Sequence, residues 1–148
     1  MGIEFKIKRF EALSASELYR ILQLRSEVFV VEQNCVYQDI DGKDEKAVHL
    51  FGESDGEIVA YARLFDKGDY FDETSIGRVV VSPNSRDKKY GHELMREAIQ
   101  SIERLFGQTE IVISAQLYLQ RFYESHGFVT EGITYLEDEI PHIRMKKA

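Results

Sequence analysis

The spacing of apolar residues predicts a strand and then a helix in the first third of the chain. In residues 3–7 every second residue is apolar and the others are charged, a period typical of a half-buried strand. Apolar residues recur at helical spacing through residues 18–29, and Ser14 with Glu17 fits a capping box in front of them. The polar, acidic residues 34–47 are expected to form a loop.

The middle of the chain predicts a hairpin, a further strand and a second helix. Two β-rich runs in residues 48–65 flank the turn sequence Ser-Asp-Gly-Glu, which is typical of a hairpin. Residues 76–82 predict another strand, and Gly107 ends a helical pattern that begins near residue 89. One stripe of that helix is apolar and consists of Leu94, Met95, Ala98, Ile99, Ile102 and Leu105.

The last third predicts a strand over residues 110–115, a helix over 117–127 and two strands around an acidic turn within 128–147. This order of strands and helices indicates a mixed α/β or α+β fold. No repeat, low-complexity tract or linker interrupts the sequence, so a single domain over residues 1–148 is expected.

Composition narrows the classes of protein to consider. A formal net charge of −7 argues against a general nucleic-acid binder, because neutralising phosphates needs a basic face. No apolar run reaches the roughly 20 residues of a membrane span, and the N-terminal residues lack the apolar core of a signal peptide. The lone Cys35 cannot form an internal disulfide. We therefore expect a cytoplasmic protein with no membrane or nucleic-acid partner.

A basic turn stands out in this acidic chain. Arg86, Lys88 and Lys89 lie where a strand gives way to a helix, and the first N–H groups of a helix attract anions. Gly91 would allow a phosphate to approach the backbone closely. A solvated turn without a ligand is the alternative interpretation.

The sequence VVVSPNSRDKKYGHELM around this turn resembles the acetyl-CoA-binding signature of the GNAT acyltransferase superfamily. Arg86, Gly91 and the pair Leu94-Met95 match the signature. Lys89 replaces its first glycine, which the backbone tolerates if Lys89 keeps a negative φ.

A second stretch, ISAQLYLQRFYESHGF, resembles the second GNAT motif. Gln116 takes the place of its Asn and Leu119 of its Ala, whereas Tyr123, Gly127 and Phe128 match. From about Leu18 to Met145 the chain looks most like the ElaA group of that superfamily.

The resemblance implies a GNAT fold, which is a splayed mixed β-sheet with helices on both faces. It also implies acetyl-CoA in the splay as acyl donor. The cofactor-binding residues that it implies are Val79, Val80, Val81, Arg86, Asp87, Lys88, Lys89, Tyr90, Gly91, Gln116 and Tyr123.

Two catalytic groups follow from the same resemblance. A backbone N–H of the valine strand, expected at Val80, would polarise the thioester carbonyl. Tyr123 lies at the position of the tyrosine that protonates the leaving thiolate in GNAT enzymes. The structural alternative makes both residues ordinary members of the core.

The general base is not defined by the motifs. The candidates are His49, Glu32, Asp39, Asp41 and His142, or a water molecule bound to one of them. An imidazole accepts protons near neutral pH, which suits His142, although a structural, hydrogen-bonded histidine is the favoured alternative.

Arg78 lies in an otherwise apolar strand and needs a partner when buried. An acid of the loop at residues 38–45 or a carboxylate on the acceptor could serve; the internal pair is slightly favoured, and Arg25 and Arg63 are similar cases. The expected acceptor-binding residues are Arg25, Phe29, Arg78 and His142.

The leading hypothesis is an N-acetyltransferase that acts by direct transfer to a primary amine of a small molecule or peptide, as a monomer or homodimer. A non-catalytic acyl-CoA-binding module is a second hypothesis. An acyl-homoserine-lactone synthase is a third, supported by Arg25, Val28 and Phe29 but weakened by the lack of tryptophan. The acidic loop lacks the pattern of a calcium site, so no metal is expected.

Overall fold

The computed structural model describes residues 2–148, which form one seven-stranded sheet and three α-helices. The strands are β1 (Glu4–Arg9), β2 (Val48–Ser54), β3 (Glu57–Phe65), β4 (Thr74–Val81), β5 (Ile111–Gln116), β6 (Val129–Glu137) and β7 (Ile140–Lys147). The helices are α1 (Ala15–Arg25), α2 (Tyr90–Phe106) and α3 (Gln120–Glu124).

The sheet opens in its middle. Its strand order is β1-β2-β3-β4-β5-β7-β6, and neighbours are antiparallel except for β4 and β5. Those two strands run parallel and pair only at Thr74 with Ile111 and at Ser75 with Val112. Beyond these residues the strands diverge. The predicted splayed mixed sheet is confirmed.

Helices cover both faces of the sheet. Ile21 of α1 packs in one cluster with Phe51, Tyr61 and Val80. Neighbouring strand residues point to the opposite face, because side chains alternate along a strand. There Leu50, Ala60 and Ala62 of β2 and β3 join the main core with Leu94, Met95, Ala98 and Ile102 of α2 and with Tyr123 of α3.

The termini of the helices agree with their sequence signals. Ser14 and Glu17 form the predicted capping box, with both reciprocal hydrogen bonds present. Gly107 follows α2 with φ 67° and ends it, as a left-handed glycine does. The predicted apolar stripe of α2 is wrong at its last position, because Leu105 is exposed and Phe106 packs against the core instead.

Two helical segments differ from the pattern in the sequence. The first helix continues from Arg25 as a wider π-type helical segment over Ser26–Glu32. The helix expected over 117–127 is α-helical only in α3, preceded by a 3₁₀ turn over Leu117–Leu119. A second 3₁₀ turn, Pro83–Lys88, separates β4 from α2. Apolar periodicity does not distinguish these tighter and wider helices from an α-helix.

Candidate active site

The divergence of β4 and β5 creates a cleft of about 570 Å³, a size typical of sites for small molecules. One wall is β4, and the other combines β5 with the hairpin of β6 and β7. The π-type segment and the loop after it close one side, while the first turn of α2 and α3 close the other.

A β-bulge shapes the β4 wall. Tyr61 pairs with Val80 but Arg63 pairs with Gly77, so β4 carries one extra residue between these pairs. Arg78 lies in this bulge with φ 50°, a left-handed conformation that is costly for a residue with a side chain. A bulge bends the strand that carries it, and the strand pairing of β4 with β5 is observed at Thr74 and Ser75, before the bulge.

The register decides which backbone groups of β4 face the cleft. Ser82 N–H donates to the Val59 carbonyl, so Ser82 and Val59 form a hydrogen-bonded pair. Antiparallel pairs alternate, so Val80 is hydrogen-bonded to Tyr61 of β3. The prediction that the Val80 N–H polarises a thioester is therefore wrong in its residue.

The free N–H groups of β4 belong to Val79 and Val81 instead. Both are in positions whose backbone groups point away from β3, towards the open side. In agreement, the Val81 carbonyl accepts a hydrogen bond of 3.3 Å from Arg86 Nε rather than one from β3.

The start of α2 also borders the cleft. Lys89 has φ 61° and ψ 26°, so the condition under which a side chain is easily tolerated here, a negative φ, is not met. The chain needs the left-handed turn that the family signature supplies with glycine, and Lys89 adopts it at a cost of about 1–2 kcal/mol. Lys89 and Gly91 both line the cleft.

Arg86 lines the cleft but is already paired. Its guanidinium binds Glu32 in a bidentate manner, with Nη1–Oε2 and Nη2–Oε1 distances of 2.7 and 2.6 Å. These hydrogen bonds raise the pKa of Arg86 and lower that of Glu32. An anion that used Arg86 would have to compete with Glu32.

Three other residues of the predicted anion site do not line the cleft. Asp87 and Lys88 are exposed outside it, and the side chain of Tyr90 is buried, only 4% exposed. Only the backbone of Tyr90, at the first position of α2, is placed to help bind an anion there.

Gln116, which takes the place of the Asn of the second motif, binds Gln33 on the other side of the cleft. Its amide and that of Gln33 exchange two hydrogen bonds, of 3.1 and 3.3 Å. Gln33 directly follows the Glu32 that binds Arg86. The end of the π-type segment therefore contacts both walls of the cleft.

Tyr123 lies where the motif predicts, on α3 and in the lining of the cleft. Its ring contacts Phe122 and Phe128 edge-on. Burial, with a smaller effect from Tyr118, raises the pKa of Tyr123 well above its usual value. The phenol therefore keeps its proton at neutral pH, so it is present as a hydrogen-bond and proton donor and not as a base.

Arg25 does not reach the cleft. It is fully buried, with Nε 2.8 Å from Asp39 Oδ2 and Nη1 2.8 Å from Asp44 Oδ1. Arg63 binds the same Asp44 oxygen at 3.0 Å and also Asp41. The placement of Arg25 in the acceptor site is wrong, because its charge is used internally to anchor the acidic loop.

Arg78 does line the cleft, yet it is held by the same loop. Its Nε lies 2.7 Å from Asp39 Oδ1 without the alignment of a hydrogen bond, and its Nη2 donates to the Asp39 carbonyl at 2.9 Å. Asp41 Oδ2 lies 3.5 Å from the same Nη2. The internal pair that the sequence favoured is observed. Phe29 also lines the cleft.

Most candidate bases have other partners. His49 is buried between the Tyr61 hydroxyl at 2.6 Å and the Asp44 carbonyl at 2.9 Å, and burial lowers its pKa. Glu32 is paired with Arg86, and Asp39 and Asp41 with arginines. His142 is the candidate that remains in the cleft without an arginine or lysine bound to it among residues 2–148, and its nearest charged group is the Glu137 carboxylate.

His142 belongs to a polar group that the sequence did not reveal. Its ring stacks on Tyr135, and its Nε2 lies 3.6 Å from Glu137 Oε2. Ser114 donates to Glu137 Oε1 at 3.0 Å and also contacts the Tyr135 hydroxyl. Alternation along β5, β6 and β7 could have placed these residues on one face, but their pairing depends on the order β5-β7-β6.

Neither a metal centre nor a membrane helix is found in residues 2–148. No group of three or more His, Cys, Asp or Glu side chains there is arranged to hold a metal ion. None of the helices formed by these residues has the length and apolar character needed to cross a bilayer.

Comparison with known proteins gives a consistent result. A family model described as "Acetyltransferase (GNAT) domain" matches residues 12–148. Protein ElaA of Escherichia coli K12 is 43% identical over 147 residues, which cover 98% of this chain and 96% of ElaA.

Solved structures agree with the sequence comparison. An acyl-CoA N-acyltransferase from Pseudomonas aeruginosa is 45% identical, with a TM-score of 0.93 over 99% of this chain and 100% of that one. The crystal structure of E. coli ElaA gives 42% identity and a TM-score of 0.92, also over 99% and 100%. An aminoglycoside 6′-N-acetyltransferase complexed with coenzyme A shares the fold at 15% identity and a TM-score of 0.70, over 96% of each chain.

Proposed function

Because the chain belongs to the GNAT acetyltransferase family, we propose that it transfers an acetyl group from acetyl-CoA to a primary amine by direct attack in a ternary complex. The observation that carries this proposal is the cleft between β4 and β5. An unpaired edge of β4, the start of α2 and Tyr123 of α3 all border it. The crystal structures of relatives include one with coenzyme A bound.

The residues present fit an acyl-CoA. Beyond Ser75 the edge of β4 that faces β5 has no strand partner within residues 2–148, so the Val79 and Val81 N–H groups are available to a ligand that extends the sheet. At the start of α2, the outward N–H groups and the Lys89 ammonium suit a pyrophosphate. A Cβ at Gly91 would lie 3.5 Å from Phe122, so glycine here serves the approach of a ligand rather than packing.

Acetyl-CoA would supply the acetyl group as a thioester. The N–H of Val79, next to the bulge and on the free edge, is placed to stabilise negative charge on the carbonyl oxygen. Tyr123, whose proton is retained at neutral pH, is placed to protonate the departing sulfur. Tyr123 would recover its proton from the attacking nitrogen or from solvent.

Calorimetric titration of acetyl-CoA tests the cofactor site before any acceptor is known. Wild type is compared with Arg86→Ala, and Lys88→Ala is the matched control because Lys88 lies outside the cleft. We expect micromolar binding that Arg86→Ala weakens about tenfold and Lys88→Ala weakens less than threefold. Absence of binding to the wild type would refute the proposal.

Release of free thiol then separates an enzyme from a binding module. With a panel of primary amines, wild type should release thiol, and Tyr123→Phe should lower kcat by about 10²-fold or more while acetyl-CoA still binds. Binding without thiol release from any amine would favour a non-catalytic acyl-CoA-binding module instead.

A further inference from the structure

The wall formed by β5 and the hairpin of β6 and β7 carries a carboxylate and an imidazole that the proposed function leaves without a role. Glu137 and His142 line the cleft together with Ser114, and Tyr135 stacks on His142. We refer to Ser114, Tyr135, Glu137 and His142 as the β7 pocket.

The tautomer of His142 is determined by its neighbours. Nδ1 lies 2.7 Å from the Ile140 carbonyl, so Nδ1 carries a proton and donates it to that oxygen. In the neutral ring Nε2 then holds a lone pair. Within residues 2–148 this nitrogen has no hydrogen-bond partner, and its nearest carboxylate oxygen, on Glu137, is 3.6 Å away. The side chain is 93% buried yet borders the cleft.

Glu137 is unlike the other carboxylates near the cleft. Asp39, Asp41 and Glu32 each bind at least one arginine. Among the ion pairs formed by residues 2–148, none brings a lysine or arginine to Glu137, whose carboxylate accepts a hydrogen bond from Ser114 and lies near His142. Its side chain is 40% exposed. A cation entering the cleft therefore finds a carboxylate whose charge is not already balanced.

We infer that the β7 pocket receives the acyl acceptor as a primary ammonium, which Glu137 binds and His142 deprotonates. This inference rests on the proposed function. The ammonium gives one proton to His142 Nε2, and the resulting amine attacks the thioester carbonyl. A C–N bond forms and the C–S bond breaks. Tyr123 protonates the sulfur and is reprotonated by the proton lost from the new amide nitrogen, and His142 releases its proton to solvent.

The charges around the pocket also define the class of acceptor. Asp138 lines the cleft beside Glu137, and Arg78 is held by Asp39 and Asp41. No free cation of the described residues lines this wall to neutralise a carboxylate on the acceptor. The pocket therefore favours primary amines whose amine-bearing carbon has no carboxylate, and it disfavours free α-amino acids.

Matched pairs of amines test this inference by binding. 2-Phenylethylamine is compared with phenylalanine, and butylamine with norvaline, by calorimetric titration into protein saturated with coenzyme A. In wild type we expect the amine of at least one pair to bind at least tenfold more tightly than its amino acid. Glu137→Gln, which keeps the hydrogen bond to Ser114, should remove this preference. Glu103→Gln removes the same charge from an exposed position on α2 and should leave it unchanged.

The role of His142 is tested by separating binding from turnover. His142→Gln should leave the affinity for the amine within about threefold and lower kcat about 10²-fold or more. A circular-dichroism melt and retained coenzyme A binding verify that each variant is folded. Turnover within twofold of wild type would refute the proton transfer, and amine binding unchanged by Glu137→Gln would refute the pocket.

The outcomes distinguish this inference from the proposed function. Thiol release that is insensitive to Glu137→Gln would leave the acetyltransferase proposal intact and overturn the pocket. Binding of amines that depends on Glu137, without thiol release from any of them, would support the pocket and overturn the acetyltransferase proposal.

Discussion

Replacing Glu32 by Gln should tighten the binding of acetyl-CoA. Glu32 and Arg86 form a bidentate pair whose side chains are 39% and 45% exposed. Exposed ion pairs contribute up to about 1 kcal/mol, and bidentate geometry favours the upper end of that range. A phosphate that takes Arg86 must first break this pair in the wild type. If Glu32→Gln removes this cost of about 1 kcal/mol, the affinity for acetyl-CoA should rise about fivefold.

The assay is calorimetric titration of acetyl-CoA at about 50 mM and 500 mM salt. Glu27→Gln is the matched control, because Glu27 is a nearby carboxylate that helps to raise the pKa of Arg86 but forms no ion pair with it. Glu27→Gln should change the affinity less than twofold. The effect of Glu32→Gln should shrink at the higher salt, where exposed charges are screened.

An affinity that Glu32→Gln leaves unchanged would refute the competition, since it would mean that Arg86 does not bind the anion. A weaker affinity would also refute it and would assign Glu32 the opposite role, which is to hold Arg86 in place for the anion.

Two further predictions concern stability. Asp44→Asn should lower the free energy of unfolding by about 3 kcal/mol and Tm by about 6–12 °C, because Asp44 neutralises two buried guanidiniums, those of Arg25 and Arg63. Thermal melts test this, with substitution of the exposed Asp87 by Asn as the control. A loss below about 1 kcal/mol would contradict it. Burial lowers the pKa of His49 in the folded state, so at low pH the unfolded state binds the proton more readily. The stability from neutral His49 is therefore complete above about pH 6.5. As the pH falls from there through the lowered pKa of the folded state, the free energy of unfolding drops by up to about 1.4 kcal/mol per pH unit. Urea unfolding between pH 5 and 7 should show a free energy of unfolding that depends less steeply on pH for His49→Gln than for wild type. An equal pH dependence in both proteins would exclude His49 as its cause.

The fold was predictable where a local rule determines it. Ser14 with Glu17 and Gly107 marked the ends of helices through capping chemistry that acts within a few residues. Asp55 and Gly56 marked the first hairpin, and both have positive φ. The splay itself came from the family resemblance, because apolar periodicity indicates neither where the pairing of β4 with β5 stops nor the bulge in β4.

The sequence predicted which strands and helices border the site, but not which backbone N–H groups and side chains face it. Tyr123 and Gly91 lie in the cleft as their motifs imply. The choice of Val80 was wrong because adjacent residues of a strand point their N–H groups to opposite neighbours. Only the pairing of Ser82 with Val59 fixes which of them face the cleft. The β7 pocket depends on contacts between distant strands, which a single sequence does not specify.

The end of the π-type segment contacts one residue from each of the two family motifs. Gln116, which replaces the usual Asn, reaches Gln33 across the cleft, and Arg86, which matches its motif, reaches Glu32. Two consecutive residues at the end of the π-type segment thus connect to β5 on one wall and to the turn after β4 on the other. A wider helical segment is a costly local structure that tertiary contacts must stabilise. These two contacts supply such stabilisation, so Glu32→Gln should loosen the segment at the same time as it frees Arg86.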